Sequence, residues 1–228
     1  DSEILNPQQI LDVIQHGTPD GTIISTDVGQ NQMWAIKYLH FSYPGQLLTS
    51  GGFGTMGFGL GAAIGAQMGN PDKRVVHITG DGCFRMNCHE LCTVEHYKLP
   101  IISVIFNNGT LGMVRQWQTL IYGKRYSATT LDRGPDFVKL AEAYGLKGYR
   151  VHTRKELEEI CPQFKTEEAL EFAKDSGTLY KAHVMRVLWQ YGLSDGMYNT
   201  VYRSLFGLRP VRGKILHTPV YELSLIHI

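Results

Sequence analysis

The stretch VVHITGDG, residues 75–82, joins a short run of strand-forming residues to a turn of glycine, aspartate and glycine. Residues 75–79 are rich in β-branched side chains, which is typical of a strand buried inside a parallel sheet. Gly80 and Gly82 let the backbone approach a bulky anion, and the N–H groups of the turn and of a following helix point toward it. This segment therefore predicts a buried strand that ends in an anion-binding turn.

Two similar runs, TIIST (22–26) and IISVIF (101–106), are followed by the polar turns DVGQNQ and NNGTLG. A further helix is expected near the start, where Asn6 can cap it, Pro7 suits its first turn and Gly17 can end it. Other helical patterns fall at about 56–68, 86–97, 111–121 and 136–144. This alternation predicts an α/β fold in which a parallel β-sheet is flanked by helices on both faces.

The bulk composition limits the kinds of partner. The chain has 228 residues, of which 43% are hydrophobic and 19% charged, and its formal net charge is +1. No long Lys/Arg run is present, so neither nucleic acid nor a membrane surface is expected as a partner. Four cysteines do not suggest a secreted disulfide framework at this length, and we expect a reducing, cytoplasmic location.

The uncharged segment 50–70 allows an alternative interpretation. Gly57, Gly61, Gly65 and Gly69 recur every four residues, as in transmembrane helices that pair. However, the segment holds eight glycines and Gln67, which lower its hydrophobicity and helix propensity. We therefore expect a helix of a soluble domain, not a transmembrane one, whose glycine edge presses against a sheet or a phosphate.

The chain divides into two parts by pattern. Residues 1–188 have the composition of one globular domain, and the first residues suggest a piece of a longer protein. Residues 180–188 can still form a last strand. Residues 189–228 show no regular period, and the closing LSLIHI resembles a translated sequencing adapter. We interpret this tail as a frameshift or read-through and assign it no function.

Asp81 and Asn108 are candidate metal ligands. Residues 83–106 provide one helix and one strand, a length that suits a crossover between parallel neighbours and brings Asp81 beside Asn108. A carboxylate next to phosphate needs a cation between them, and hard oxygen donors suit Mg²⁺, or Ca²⁺ in a looser cage. A lone Gly-Asp-Gly is also ordinary turn chemistry, but its pairing with Asn107-Asn108 after the next strand predicts a divalent metal diphosphate site.

The cysteine-rich segment after this turn is a second metal candidate. Cys88, Cys92 and His96 are spaced by four residues and would form a stripe on a helix. Zinc needs a fourth ligand, for which the sequence offers no clear residue. We therefore expect the two cysteines to pack as small apolar residues. Glu90, Glu95 and His96 are expected on the helix surface.

Four motifs carry a resemblance to a known family: DVGQNQMW, LTSGGFGTMGFGLGAAIGA, GDGCFRMNCHEL and NNGTLGMVRQWQ. Gly80-Asp81-Gly82 followed by Asn107-Asn108 is similar to the signature of thiamine diphosphate-dependent 2-oxoacid decarboxylases and carboligases. All four motifs together resemble the acetolactate synthase (acetohydroxyacid synthase) large-subunit family, and LGMVRQWQ is the most discriminating of them. The resemblance runs from about residue 5 to 177 and covers only the C-terminal cofactor-binding domain of that family.

The resemblance implies roles for individual residues. Asp81, Asn108 and the Thr110 carbonyl would hold Mg²⁺. The cofactor-binding set would be Gly29, Gln30 and Asn31 at the phosphates, Gly54, Thr55 and Met56 at the aminopyrimidine, Gly80, Asp81, Gly82 and Cys83 in the turn, and Asn108, Thr110, Leu111, Gly112 and Met113 closing over it. The substrate side would include Met113, Val114 and Trp117.

Three of these positions carry qualifications. Asn31 stands where the family commonly has His, and Cys83 where it has Ser, a better hydrogen-bond donor. Trp117 resembles the residue that favours a larger second 2-oxoacid and lines the herbicide pocket. Its alternative role is packing on the core beside Met113 and Val114.

For activity, the resemblance implies decarboxylation of pyruvate and transfer of the remainder to pyruvate or 2-oxobutyrate, in branched-chain amino acid biosynthesis. The glutamate that protonates the pyrimidine ring would lie on another domain, across a homodimer or higher homo-oligomer interface. No catalytic acid or base is therefore assigned here, and the chain alone is expected to be inactive. FAD in a central domain and a small regulatory subunit are further implied. The alternatives are another thiamine diphosphate-dependent decarboxylase, oxidase or carboligase, or a non-catalytic module of the same fold.

Overall fold

A computed structural model describes residues 5–162 and the backbone of residues 222–227. The strands are β1 (Ile23–Thr26), β2 (Leu47–Thr49), β3 (Val75–Gly80), β4 (Ile101–Asn107), β5 (Lys147–Val151) and β6 (Glu222–His227). The α-helices are α1 (Pro7–Gly17), α2 (Gln30–Tyr38), α3 (Phe58–Gly69), α4 (Asp81–Asn87), α5 (Leu91–His96), α6 (Gly112–Leu120), α7 (Phe137–Ala143) and α8 (Arg154–Ile160). A 3₁₀ turn, Cys88–Glu90, separates α4 from α5.

The strands form one sheet in the order β2-β1-β3-β4-β6-β5. β1 pairs in parallel with β2 and β3, and β3 pairs in parallel with β4, with Gly80 opposite Phe106. The predicted parallel sheet and the side-by-side ends of β3 and β4 are therefore confirmed.

β6 is the one antiparallel strand of the described sheet. It lies between β4 and β5, with Glu222 opposite Asn107 and Leu223 opposite Val151. The sequence pattern did not predict this strand, because the tail was set aside. The possible strand at 180–188 and the boundary between residues 188 and 189 lie outside the described residues and stay predictions.

Helices cover both faces of the sheet, as expected. Along β4, Ile102, Val104 and Phe106 join one core with α1, α2 and α8, while Ile101 and Ile105 join a second core with α3, α5 and α7. This alternation follows from the two-residue period of a strand. Both faces of β4 are consequently buried.

Local capping explains where several helices begin. The Asn6 side chain accepts the Gln9 N–H at 2.9 Å and Gln9 reciprocates, which gives a capping box before Pro7 as the sequence suggested. Thr153 and Glu156 form the same arrangement at α8.

The continuous helix predicted over 86–97 is wrong. Asn87 has φ −138° and ψ 17°, which interrupts the helix before the 3₁₀ turn. Its side chain donates to the Gly57 carbonyl at 3.2 Å, so a tertiary contact accompanies the break. Cys88, Cys92 and His96 therefore do not share one regular helix.

The predicted glycine edge of α3 is also wrong in detail. Gly61, Gly65 and Gly69 are exposed, and nothing lies within 4 Å of a Cβ built on Gly65 or Gly69. The close contact with the sheet is at Gly59, where an added Cβ would lie 2.5 Å from His77 Nε2. Within the described residues, no helix is long and apolar enough to cross a membrane.

Candidate ligand site at the carboxyl ends of the strands

A cavity of about 220 Å³ opens where β1, β3 and β4 end. This is the position at which parallel α/β sheets bind ligands, because the turns after adjacent strands converge there. Its lining comprises Val28, Gly29, Gln30, Asn31, Trp34, Gly54, Met56, Gly80, Asp81, Gly82, Cys83, Phe106, Asn108, Thr110, Leu111, Gly112, Met113 and Val114.

The cavity brings together nearly all the residues that the sequence singled out. Thr55 does not line it and is exposed on the surface, with its N–H donated to Ser50 Oγ at 3.2 Å. Trp117 is also outside the lining and is 50% exposed, so the alternative that it packs into the core is wrong. Met113 and Val114, on the same helix, do reach the cavity.

Asp81 is the buried carboxylate of the cavity, with 1% of its surface exposed. Its Oδ2 accepts the Gly109 N–H at 3.1 Å, which joins the turn after β3 to the turn after β4. Burial raises the pKa of Asp81 to about 6, although Arg85 and the Gly82 and Gly109 N–H groups act in the opposite direction. A cation beside this carboxylate would remove that penalty.

The loop after β4 is held in place by hydrogen bonds to residues 129–131. Asn108 Oδ1 accepts the Thr110 N–H at 3.1 Å, while Thr110 Oγ1 donates to the Thr129 carbonyl at 2.8 Å. The Leu131 N–H donates to the Gly109 carbonyl at 2.7 Å. An amide oxygen has two lone pairs, so Asn108 Oδ1 can keep this bond and also bind a cation.

The turn after β1 is fixed by Asn31. Its Nδ2 donates to the carbonyls of Asp27 at 3.0 Å and Ile78 at 3.2 Å, so both amide hydrogens link the ends of β1 and β3. Asn31 Oδ1 lies toward the turn, where a Cβ on Gly29 would come within 2.7 Å of it. Gly29 also has φ +149°, a conformation that side chains rarely adopt.

Gln30 and Gly112 connect α2 to α6 across the cavity. Gln30 Nε2 donates to Gln116 Oε1 at 2.9 Å, and both side chains are buried. A Cβ on Gly112 would clash with Gln30 Oε1. The absence of a side chain at residue 112 therefore makes room for the Gln30 amide.

Cys83 serves as a small donor within the site. Its Sγ donates to the Val28 carbonyl at 2.9 Å, and burial raises the pKa of the thiol to about 12. It is therefore a neutral thiol at physiological pH. This bond ties the start of α4 to the turn after β1.

A buried polar network beneath the cavity was missed by the sequence reasoning. Asp27 contacts His77, Thr79 and Gly59 through its carboxylate, and none of these groups was a candidate. The available signal was His77 itself, a polar ring within a strand that otherwise reads as buried. Val28, Trp34 and Phe106 were missed as cavity residues because apolar side chains next to a site resemble ordinary core.

The cysteine-rich segment forms no comparable centre. Cys92 and His96 are exposed, Cys88 is half-buried, and none of the four cysteines forms a disulfide. Among the described residues, no group of three or more His, Cys, Asp or Glu side chains could hold a metal ion. Glu90 accepts the Thr93 hydroxyl at 2.7 Å and Glu95 pairs with Lys98, so both carboxylates make local surface contacts.

The side chains that line the cavity carry no positive charge. None of the described residues that line it is Lys or Arg, and Asp81 contributes a carboxylate. The lining includes the first turn of α2, where backbone N–H groups have no partner within the helix. The fold and the cavity thus place the chain among α/β proteins that bind a ligand at the carboxyl ends of a parallel sheet.

Comparison with known proteins gives the family. The profile described as "Thiamine pyrophosphate enzyme, C-terminal TPP binding domain" matches residues 27–172. The chain belongs to the thiamine pyrophosphate enzymes, of which it carries the C-terminal TPP-binding domain.

Individual relatives agree with this assignment. The chain is 49% identical over 164 residues to a probable acetolactate synthase large subunit of Methanococcus aeolicus, which covers 70% of this chain and 27% of that protein. It is 45% identical over 175 residues to the acetolactate synthase isozyme 2 large subunit of Escherichia coli, which covers 77% of this chain and 30% of that protein.

A solved structure is similar as well. The thiamine diphosphate-dependent 4-hydroxybenzoylformate decarboxylase of Rhodococcus jostii RHA1 has a TM-score of 0.67 and 29% identity, covering 72% of this chain and 31% of that one. The chain thus spans between 27% and 31% of the length of these three proteins.

Proposed function

We propose that the chain forms the metal- and diphosphate-binding half of the thiamine diphosphate site in an acetolactate synthase. The observation that supports this most directly is the Asp81–Gly109 hydrogen bond, which joins the two motif turns around one cavity. Identities of 43–54% to acetolactate synthase large subunits favour this enzyme within the family.

The metal would be Mg²⁺, held by Asp81, Asn108 Oδ1 and the Thr110 carbonyl. The fit rests on the donors, since a buried carboxylate, an amide oxygen and a carbonyl are hard oxygen ligands. Burial raises the pKa of Asp81 to about 6, because it outweighs the opposing effects of Arg85 and of the Gly82 and Gly109 N–H groups. A divalent cation would stabilise the carboxylate charge and accept diphosphate oxygens.

The diphosphate would be bound by the turn after β1 and the first turn of α2, through Gly29, Gln30 and the backbone N–H of Asn31. Asn31's side chain would contribute by holding this turn, because both its amide hydrogens are already donated to carbonyls. The backbone of Gly80, Gly82 and Cys83 would complete the phosphate side, since the Cys83 thiol is already donated to the Val28 carbonyl.

The organic part of the cofactor would contact Gly54, Met56 and the loop from Leu111 to Met113. Leu111 already lies over the turn after β3, because a Cβ on Gly82 would be 2.6 Å from Leu111 Cδ2. Gly82 must therefore lack a side chain for Leu111 to cover the site. Thr55 lies outside the cavity, so it would contact the cofactor only if the surface loop that carries it changed its conformation.

Bound thiamine diphosphate would supply the carbanion chemistry that releases CO₂ from a 2-oxoacid and joins the remainder to a second 2-oxoacid. Residues of this chain would orient the cofactor and exclude water from it. Met113, Val114 and the exposed Trp117 would face the substrates, pyruvate and then pyruvate or 2-oxobutyrate. The products would serve branched-chain amino acid biosynthesis.

The remainder of the site would come from outside the described residues. A volume of about 220 Å³ is below the roughly 300–1,000 Å³ of pockets that enclose a drug-sized ligand, so the cavity holds only part of such a cofactor. We propose that a pyrimidine-binding domain completes it across a homodimer or larger homo-oligomer, with FAD in a further domain and a small regulatory subunit as partner. Four cysteines that form no disulfide favour a cytoplasmic location.

A second candidate is a 2-oxoacid decarboxylase. The likeness to 4-hydroxybenzoylformate decarboxylase, at 29% identity, is the observation that favours it. The products distinguish the two, because a carboligase gives acetolactate from pyruvate whereas a decarboxylase releases an aldehyde.

The cofactor site can be tested by calorimetric titration of the 228-residue chain with thiamine diphosphate in excess Mg²⁺. Asp81→Ala and Asn108→Ala should each abolish Mg²⁺-dependent binding, whereas Asp20→Ala, an exposed control, should leave it unchanged. Normal binding by both site variants would show that the site is misplaced. Conversion of pyruvate by the chain alone would contradict the proposed need for a second domain.

A further inference from the structure

We infer that Asp27 and His77 are positioning residues that hold three backbone segments of the cavity in register without contacting a ligand themselves. The segments are the turn after β1, the start of α3 and the end of β3. This inference rests on the proposed function in one respect only, that these segments hold the cofactor.

Asp27, in the turn after β1, accepts three hydrogen bonds from two other segments, the start of α3 and the end of β3. Its Oδ1 accepts the Gly59 N–H at 2.9 Å, and its Oδ2 accepts the Thr79 hydroxyl at 2.6 Å and His77 Nε2 at 3.0 Å. An asparagine side chain has one acceptor oxygen, whereas the carboxylate has two that accept all three bonds. A carboxylate is therefore required to accept all three bonds at one point.

His77 links Asp27 to β4. Since a carboxylate only accepts, His77 Nε2 carries the hydrogen of the bond to Asp27, and Nδ1 lies 3.2 Å from Ser103 Oγ on β4. Burial would raise the pKa of Asp27, but the bond and charge interaction with His77 and the bonds from Thr79 and Gly59 hold it below its ordinary value. Asp27 is thus a stable buried anion.

Such a buried network has no evident value for stability alone. Asp27 is 1% exposed and His77 and Thr79 are 0% exposed, so desolvation of these groups offsets much of what their bonds contribute. Well-packed apolar residues can stabilise a core equally well. The network's distinctive product is the fixed relative position of the segments that it joins.

Each joined segment enters the cavity within a few residues. Asp27 precedes Val28 and Gly29, Thr79 precedes Gly80, and Gly59 follows Met56 by three residues. The α3 backbone reaches this point only because residue 59 is glycine. A Cβ there would lie 2.5 Å from His77 Nε2 and 2.9 Å from the Asp27 nitrogen.

Thr79→Val tests the inference with little change in shape, since it replaces a hydroxyl by a methyl group. Amide hydrogen exchange is measured along the chain for Thr79→Val, Thr79→Ser and Thr22→Val. Thr79→Ser keeps the hydroxyl. Thr22 is a matched control, because it is also buried and donates its hydroxyl, to the Pro19 carbonyl, at the opposite end of the sheet.

Thr79→Val should accelerate exchange at least about tenfold at residues 28–31 and 57–60, both remote in sequence from the substitution. The Gly59 amide reports directly, since its hydrogen is donated to Asp27. Thr79→Ser should stay within about twofold of wild type, and Thr22→Val should change exchange only near residues 19–24. Acceleration confined to residues 78–81, or equal acceleration by both valine variants, would overturn the inference.

A parallel titration with thiamine diphosphate and Mg²⁺ separates this inference from the proposed function. Thr79→Val should weaken binding by about tenfold, Thr79→Ser should restore it, and Thr22→Val should bind like wild type. If the wild-type chain does not bind under these conditions, hydrogen exchange alone decides the role of the network. If wild type binds and Thr79→Val binds equally well, the positioning role is refuted.

Discussion

Replacement of Asp81 by Asn should make the metal-free chain more stable at neutral pH and abolish its stabilisation by Mg²⁺. The pKa of Asp81 is raised from 3.8 to about 6, chiefly by burial. One pKa unit corresponds to about 1.4 kcal/mol, so ionised Asp81 costs the folded state about 3 kcal/mol, as an upper estimate. Asparagine keeps an oxygen that can accept the Gly109 N–H but carries no charge.

The sign of the pH dependence follows from the direction of this change. A carboxyl group with a raised pKa binds its proton more tightly in the folded state, so stability falls as the pH rises from 3.8 to about 6. The advantage of Asp81→Asn should therefore be small near pH 4 and reach its full size above about pH 6.5. For a chain of this length, 3 kcal/mol corresponds to a rise in Tm of about 6–12 °C.

Thermal unfolding at several pH values, with and without Mg²⁺, measures these effects. Wild type should gain stability from Mg²⁺ at pH 7.5 and Asp81→Asn should not, while Asp20→Asn, an exposed control, should follow wild type throughout. The reasoning fails if Asp81→Asn is less stable than wild type at pH 7.5 without metal. It also fails if the stability difference between Asp81→Asn and wild type is as large at pH 4 as at pH 7.5.

Three further substitutions test other parts of the structure. Gly112→Ala should displace the Gln30 amide and weaken thiamine diphosphate binding in calorimetry. Little stability should be lost, because the flexible Gln30 side chain can move away from the added methyl group. Unchanged affinity would contradict this prediction. Thr153→Ala should remove the capping box with Glu156 and cost about 1 kcal/mol in urea unfolding, whereas Thr153→Ser should cost much less. Leu91→Ala, at a fully buried core position, should cost about 2–5 kcal/mol, and a loss below 1 kcal/mol would show that its surroundings collapse around the gap.

The central strands and their ligand-binding ends could be predicted because simple rules apply to them. Buried parallel strands have a distinctive composition, and the carboxyl ends of neighbours must meet at one edge. Asp81 and Asn108 could therefore be placed together before any coordinates, as the Asp81–Gly109 bond confirms. Their roles as metal ligands remain a prediction.

Helix α2 could not be predicted, because its sequence does not follow the simple pattern of an amphipathic helix. Its buried residues include Gln30, Asn31 and Gln32, so it lacks the apolar stripe by which amphipathic helices are recognised. Its polar face is buried because it adjoins the cavity and the ends of β1 and β3. The break at Asn87 was equally invisible, since its tertiary partner, the Gly57 carbonyl, lies 30 residues earlier.

A cavity lined by a carboxylate and by no lysine or arginine should discriminate between a free anion and its metal complex. Free diphosphate, sulfate or phosphate would meet the repulsion of Asp81 with no opposing basic side chain in the described lining. The cation would thus act as part of the recognised ligand, and a logarithmic plot of apparent affinity against free Mg²⁺ should have a slope near one below saturation. Simple anions should then compete poorly, even at concentrations that inhibit phosphate sites built from lysine and arginine.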